Sequence, residues 1–197
     1  MNALLLAWTI LLELFFTYRN VYYDKALAID PKYEHALYDK GDDLDALGNY
    51  TEAILYYSKA LAIEPHDVRA LTNKGLDLDY LGNYTGAIEY YDKALGIDAY
   101  GVPPLTDKGL ALYKLGNYTG AIEYFDKTLA IDPHDVIALN NKGAALKSLG
   151  NYTGAIEYFD KTLAIDPKNT FASTNKAAIL ERLGNHRTLG NATKFLQ

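Results

Sequence analysis

At 197 residues, with 49% hydrophobic and 22% charged side chains, the chain is too apolar to be disordered and long enough to bury a continuous core. A net charge of −6, from 19 basic against 25 acidic residues, argues against a nucleic-acid binder with its basic stripe, and no phosphate-binding patch stands out. The absence of cysteine excludes disulfides, thiolate metal sites and cysteine nucleophiles.

Met1 to Phe16 carries Glu13 as its only charge and matches nothing later in the chain. It is short against the roughly 20 apolar residues a bilayer needs, and it lacks the basic start and small-residue cleavage site of a signal peptide. Leu5, Trp8, Leu12 and Phe15 share one helical face, so residues 1–20 are expected to form an apolar helix docked on the first repeat. A segment apolar nearly all round needs a cover other than water, and contact with a membrane or a second copy through residues 1–16 is the alternative. An export signal or a misread gene start is also open. Tyr22 to Leu27 repeats Tyr90 to Leu95, which makes residues 21–33 an incomplete repeat.

From Glu34 a period governs the chain. Leu-Gly-Asn-Tyr-Thr begins at Leu47, Leu81, Leu115 and Leu149, a spacing of 34 residues, and fades to Leu183-Gly184-Asn185. Such a period marks an array of supersecondary units, each covering its neighbour's apolar face. In the first unit, Leu37, Gly41 and Leu44 predict a helix over His35 to Leu47, stopped at Gly48 by a left-handed residue. Asn49 or Thr51 then caps a second helix with the stripe Ala53, Ile54, Tyr57, Ala60 and Leu61, and Asn49 with Glu52 has capping-box spacing. Pro31, Pro65, Pro133 and Pro167 close units.

Mid-helix glycine at 41, 75, 109 and 143 costs about 1 kcal/mol each relative to alanine. A close crossing against Ala53, Ala87, Ala121 and Ala155 is the expected reason. Gly86, Gly120 and Gly154 are expected only to weaken the exposed first turn of the second helix. At Asp98-Ala99-Tyr100-Gly101 the Asp-Pro-His-Asp joint is lost and Val102-Pro103-Pro104 comes next, giving a displaced stop or a hinge. Thr170 to Leu183 reads as a fifth first helix and His186 to Gln197 as a polar cap. Residues 34–169 thus hold four complete units, and 170–197 a partial fifth with the cap.

Helix pairs of this length with Gly41, Tyr50, Ala53, Tyr57, Ala60 and Pro65 in place resemble tetratricopeptide repeats. The resemblance implies an all-α fold, an α-solenoid of 34-residue helix-turn-helix repeats forming a right-handed superhelix, whose concave groove is lined by first helices and binds a peptide or partner segment. It places in that groove Tyr38, Asp42 and Asp45; Arg69, Thr72, Leu76 and Asp79, with Asn73 beside them; Thr106, Leu110 and Tyr113; and Asn140, Ala144 and Lys147, with Asn141 beside them. His35 would also face it. The groove would begin acidic and become apolar, then basic at Lys114, Lys147 and Arg182, orienting a partner of opposite gradient. Leu37 stands in the family's aromatic column, and Lys40, Lys74, Lys108, Lys142 and Lys176 in a leucine column, where their stems are expected to snorkel to solvent. The carboxylate clamp of chaperone-binding members needs lysine and asparagine where this chain has Tyr38 and Asp42, or Thr72 and Leu76. No binding of a Glu-Glu-Val-Asp tail is therefore expected.

Candidate chemistry is sparse. His66 and His134 lie two periods apart, and no phosphate loop or nucleophile–base set appears. Asp42, Asp43, Asp45, Asp77 and Asp79 are expected to form a solvated acidic face rather than a cation site. Asn49, Asn83, Asn117, Asn151 and Asn191 fit the glycosylation pattern, which turn and cap requirements explain. The reading is a cytoplasmic, non-enzymatic scaffold without cofactor or metal. A membrane-attached or exported scaffold, a self-associating array and a docking fragment of a larger enzyme are the alternatives.

Overall fold

The structure, a computed structural model, describes residues 3–194, with side chains described at 11, 14–16 and 18–184. The described residues form ten α-helices and no strand. They divide into two compact units, residues 1–104 and 105–197. The first contains α1 (Ala3–Ile29), α2 (Glu34–Ala46), α3 (Tyr50–Ile63), α4 (Val68–Tyr80) and α5 (Tyr84–Ile97). α6 (Val102–Lys114) spans the division, and the second unit continues with α7 (Tyr118–Ile131), α8 (Val136–Ser148), α9 (Tyr152–Ile165) and α10 (Thr170–Lys194). Within each unit consecutive helices pack pairwise, as in an α-solenoid.

The turns follow from one residue type. Gly48 has φ of 75° and accepts the left-handed conformation at little cost; its N–H donates to Asp45 O at 2.7 Å, and Asn49 N–H donates to Leu44 O at 2.8 Å. These two bonds satisfy carbonyls that the helix end leaves open. Gly82, Gly116 and Gly150 repeat the device. Gly184 does not: α10 runs through it to Lys194, past the end expected at Leu183. The sequence after Asn185 lacks the Ala-Ile-Tyr stripe of the other second helices, so a turn there would bury no apolar face.

The core is a column of aromatic rings. Tyr57 and Tyr91 in the first unit, and Phe125 and Phe159 in the second, have no exposed surface. Each contributes about 1.5–3 kcal/mol by leaving water. The mid-helix glycines serve these rings, not the alanine column expected from the sequence. A Cβ on Gly41 would lie 2.6 Å from Tyr57 Cε1, and on Gly143 2.8 Å from Phe159 Cε1.

The other small residue also acquires a role. Asn83, Asn117 and Asn151 each accept a hydrogen bond from the backbone N–H of the glycine three residues on, at 3.0 Å, and cap α5, α7 and α9. A Cβ on Gly86 would meet the Asn83 amide at 2.7 Å, so Gly86 leaves room for the cap. Where Glu52 replaces this glycine the cap is absent, and the Asn49 amide donates to Glu52 at 2.8 Å instead. The expected capping box therefore does not form.

The lysine column does not snorkel. Lys40 and Lys142 are 7% and 8% exposed. Each ammonium reaches back to a carboxylate sixteen residues earlier, Asp24 and Asp126, and covers the ring of a tyrosine sixteen residues later, Tyr56 at 4.6 Å and Tyr158 at 4.2 Å. Lys176 likewise pairs with Asp160. The column joins neighbouring helix pairs by charge and cation–π contact.

α1 packs on α2 through its C-terminal half. Arg19 pairs with Asp43 at 3.1 Å, and Leu27 rests on the cluster of Leu37, Tyr38 and Leu44. Phe15, on the face expected to dock, is 54% exposed, while the side chains of Leu5, Trp8 and Leu12 lie outside the described residues. No helix of the described residues is long and apolar enough to cross a membrane.

Candidate functional site

In the first unit, α2 and α4 bring five of the sequence-predicted residues together. The Asn73 amide donates to Tyr38 Oη at 3.1 Å and to Asp42 Oδ1 at 2.9 Å, and Asp42 also accepts from the buried Tyr57 hydroxyl at 2.7 Å. Burial holds both tyrosine hydroxyls protonated, with Asp42 adding to the shift. Arg69 lies over the Tyr38 ring at 4.5 Å and is anchored to Asp67 at 3.0 Å. Thr72 donates to Val68 O at 2.7 Å.

Tyr38, Arg69, Thr72 and Asn73 surround a cavity of about 210 Å³. Its remaining walls are Val68, Asp98, Gly101, Pro103 and Pro104. Asp98, Gly101 and the paired prolines were not among the sequence-predicted residues. The signal was present, because the displaced proline joint departs from the other joints of the repeat, but it reads as a stop or hinge.

The acidic face is not solvated as expected. Asp43, Asp77 and Asp79 are 2%, 0% and 7% exposed, while Asp42 and Asp45 are half-buried. Neither Asp77 oxygen meets a hydrogen-bond donor among the described residues. Burial, and then the neighbouring Asp45 and Asp42 carboxyls, push Asp77 up to about 8, so it is neutral at pH 7. Burial also raises Asp43, against the opposing charge of Arg19. Among the described residues no three His, Asp or Glu side chains are arranged to hold a metal. Leu76 is half-buried beside this face.

In the second unit the predicted residues are more dispersed. Thr106 is buried and shares a hydrogen bond with Thr128 at 3.1 Å. Leu110 and Tyr113 pack on the Ala121, Phe125 and Ala138 cluster. Asn140, 9% exposed, donates to Asn169 at 3.3 Å; Asn141 bonds back to Ile137 O at 2.8 Å within its own helix. Ala144 is buried, and Lys147 donates to Asn175 at 2.7 Å.

Comparison with known proteins agrees with this arrangement. No curated protein matches the chain. The profile "Tetratricopeptide repeat" matches residues 38–102 and 106–170. Among solved structures, "YrrB: a TPR protein with an unusual peptide-binding site" is 25% identical with a TM-score of 0.72, covering 88% of this chain and 87% of its own. MamA is 25% identical with a TM-score of 0.71, covering 74% of this chain and 85% of its own. The first TPR of Spaghetti (RPAP3), solved with the HSP90 peptide SRMEEVD, shares the fold at 24% identity and a TM-score of 0.58, covering 59% of this chain and 93% of its own. With 34-residue helix pairs, a recurrent glycine stop and a profile matching most of its length, the chain belongs to the tetratricopeptide repeat family.

Proposed function

We propose that the chain is a protein-interaction scaffold that binds a peptide or partner segment on the groove face of its first helices, with the Tyr38–Asn73 cavity taking one side chain. The observation that carries this reading is the cavity itself. Four groove residues of α2 and α4 line it, an aromatic ring is held at its wall by Asn73 and Arg69, and its polar groups are fixed before any ligand arrives. YrrB, a relative of similar length, is described as carrying a peptide-binding site.

Asp98 in the wall of the cavity, with Asp42 bonded to Asn73, favours a segment bearing lysine or arginine and disfavours an acidic tail. In the second unit, the half-buried Leu110 and Tyr113 supply apolar contact, and Asn141 and Lys147 polar contact, while the buried Ala144 and Asn140 lie behind them. Selection of peptides from a random library on the immobilised full chain tests this. Enriched sequences are expected to carry a basic residue and to lose affinity with Arg69→Ala or Asp98→Lys, both at the cavity rim. Affinity unchanged in both variants would move the site elsewhere. A peptide ending in Glu-Glu-Val-Asp is expected to give no saturable heat in calorimetry.

A second reading has its own observation. Leu11, Leu14, Phe15, Tyr18 and Tyr22 of α1 are each more than half exposed and recur at helical spacing, which favours self-association or an apolar partner surface. Light scattering of the full chain against one starting at Tyr22 tests it, an equal protomer mass ratio for both rejecting self-association through α1.

A further inference from the structure

The lysine column contains one exception. Position 58 is serine, where positions 24, 126 and 160 hold the aspartates that neutralise Lys40, Lys142 and Lys176. Lys74 therefore donates to a neutral hydroxyl, Ser58 Oγ at 2.7 Å, and forms no ion pair among the described residues. The second lysine of the same unit is also unmatched. Lys93 covers Tyr90 at 4.4 Å and forms no ion pair among the described residues, whereas its equivalent Lys161 is paired with Glu157 at 2.7 Å.

Tyr90 completes the set. Lys74 lies over its ring at 4.3 Å, but the hydroxyl has no hydrogen-bond partner among the described residues, in contrast to Tyr124 and Tyr158, which accept from Lys108 and Lys142 at 2.7 and 2.6 Å. These groups open onto a hollow of about 400 Å³ between α3, α4 and α5. Its floor is apolar, formed by Leu61, Ala62, Pro65 and Leu71. It shares no residue with the Tyr38–Asn73 cavity.

We propose that this hollow is a second binding site, for a phosphate monoester carried on a small apolar body. The dianion takes charge-assisted hydrogen bonds from the Lys74 and Lys93 ammonium groups and a further bond from the Tyr90 hydroxyl, while the body covers Leu61 and Leu71. The half-buried position of Lys74 limits screening of its charge by water and salt. The other pairs show why the site is confined to this repeat: an aspartate at position 58 would fill the anion's place.

Phenyl phosphate titrated into the full chain, followed by calorimetry, tests the proposal. Saturable binding is expected, weakened by at least about tenfold in Lys74→Gln and in Lys93→Gln. Ser58→Asp is expected to abolish it while leaving helicity intact, because that side chain recreates the pair present at Lys40, Lys142 and Lys176. Inorganic phosphate is expected to bind more weakly than phenyl phosphate, since it leaves the floor uncovered. A phosphotyrosyl peptide in a parallel titration separates the two sources of the group: tighter binding than phenyl phosphate assigns it to a protein partner, and weaker binding to a small molecule. Absence of saturation with every phosphate probe, or binding unaltered by Ser58→Asp, overturns the proposal.

Discussion

One column of the first helices reads Asp43 and Asp77 in the first unit and Ala111 and Ala145 in the second, and all four residues are buried. The aromatic column beside it changes in step, from Tyr57 and Tyr91 to Phe125 and Phe159. The repeat thus tolerates two cores at the same backbone positions, one apolar and one carrying carboxyls, and only the apolar one follows from ordinary burial preference. Carboxyls persist in the first unit because one is paired, Asp43 with Arg19, and another is kept neutral, Asp77.

The strongest way to break this comparison is to move the acid. Ala145→Asp places a carboxyl at a fully buried position of the second unit, where the aromatic column is phenylalanine and offers no hydroxyl, and is expected to cost about 3 kcal/mol or more. Urea unfolding followed by circular dichroism at pH 7 reads the loss; a cost below about 1 kcal/mol, within the range of ordinary surface substitutions, would show that the second unit accommodates acids as the first does.

The converse change sharpens the comparison through pH. An aspartate in the unfolded chain ionises near pH 4 (about 3.9), whereas Asp77 in the folded chain holds its proton to about 8. Between those values the folded state binds the extra proton. Its stabilising contribution is complete below the unfolded value and is lost as pH rises toward the folded one, at up to about 1.4 kcal/mol per pH unit. Asp77→Asn is expected to flatten the dependence between pH 5 and 8 and to leave the variant the more stable protein at pH 8. An unchanged slope would assign the titration to Asp43 or Glu34, whose carboxyls burial also raises.

Gly75 tests the aromatic column itself. A Cβ there meets Tyr91 Cε1 at 2.6 Å, against 2.8 Å between Gly143 and Phe159. Overpacking costs about 1–3 kcal/mol, and alanine returns about 1 kcal/mol of helix propensity. Gly75→Ala is therefore expected to lose about 1 kcal/mol net, and Gly143→Ala less. A gain in either would mean that the ring shifts freely.

Much of this was legible from the period alone. The Leu-Gly-Asn-Tyr-Thr pentad located each turn, since a left-handed residue has few substitutes. What escaped was the partner in each contact between helices. The glycine at 41 signalled a close approach without naming Tyr57 as its cause, and Lys40 read as a solvent-seeking stem because Asp24 and Tyr56 lie sixteen residues away in either direction. Asp77 read as one of a solvated run because burial of a charge cannot be inferred from residue type. The cavity escaped for a related reason: Pro103 and Pro104 break the pattern, and a broken pattern gives no period from which to infer neighbours.

The smallest expected difference concerns the caps. Asn83 accepts from Gly86 N–H, whereas Asn49 faces Glu52 and accepts nothing from the helix end. Asn83→Ala is therefore expected to cost about 1 kcal/mol and Asn49→Ala only a few tenths. Glu52→Gly discriminates between causes. If a Cβ at the third helical position is what excludes the amide, that substitution frees Asn49 to cap α3, and Asn49→Ala made in its background becomes as costly as Asn83→Ala. If the cost stays small, the difference belongs to the Asn49–Glu52 bond or to the first turn of α3, and the glycines at 86, 120 and 154 return to being a weakness in an exposed turn.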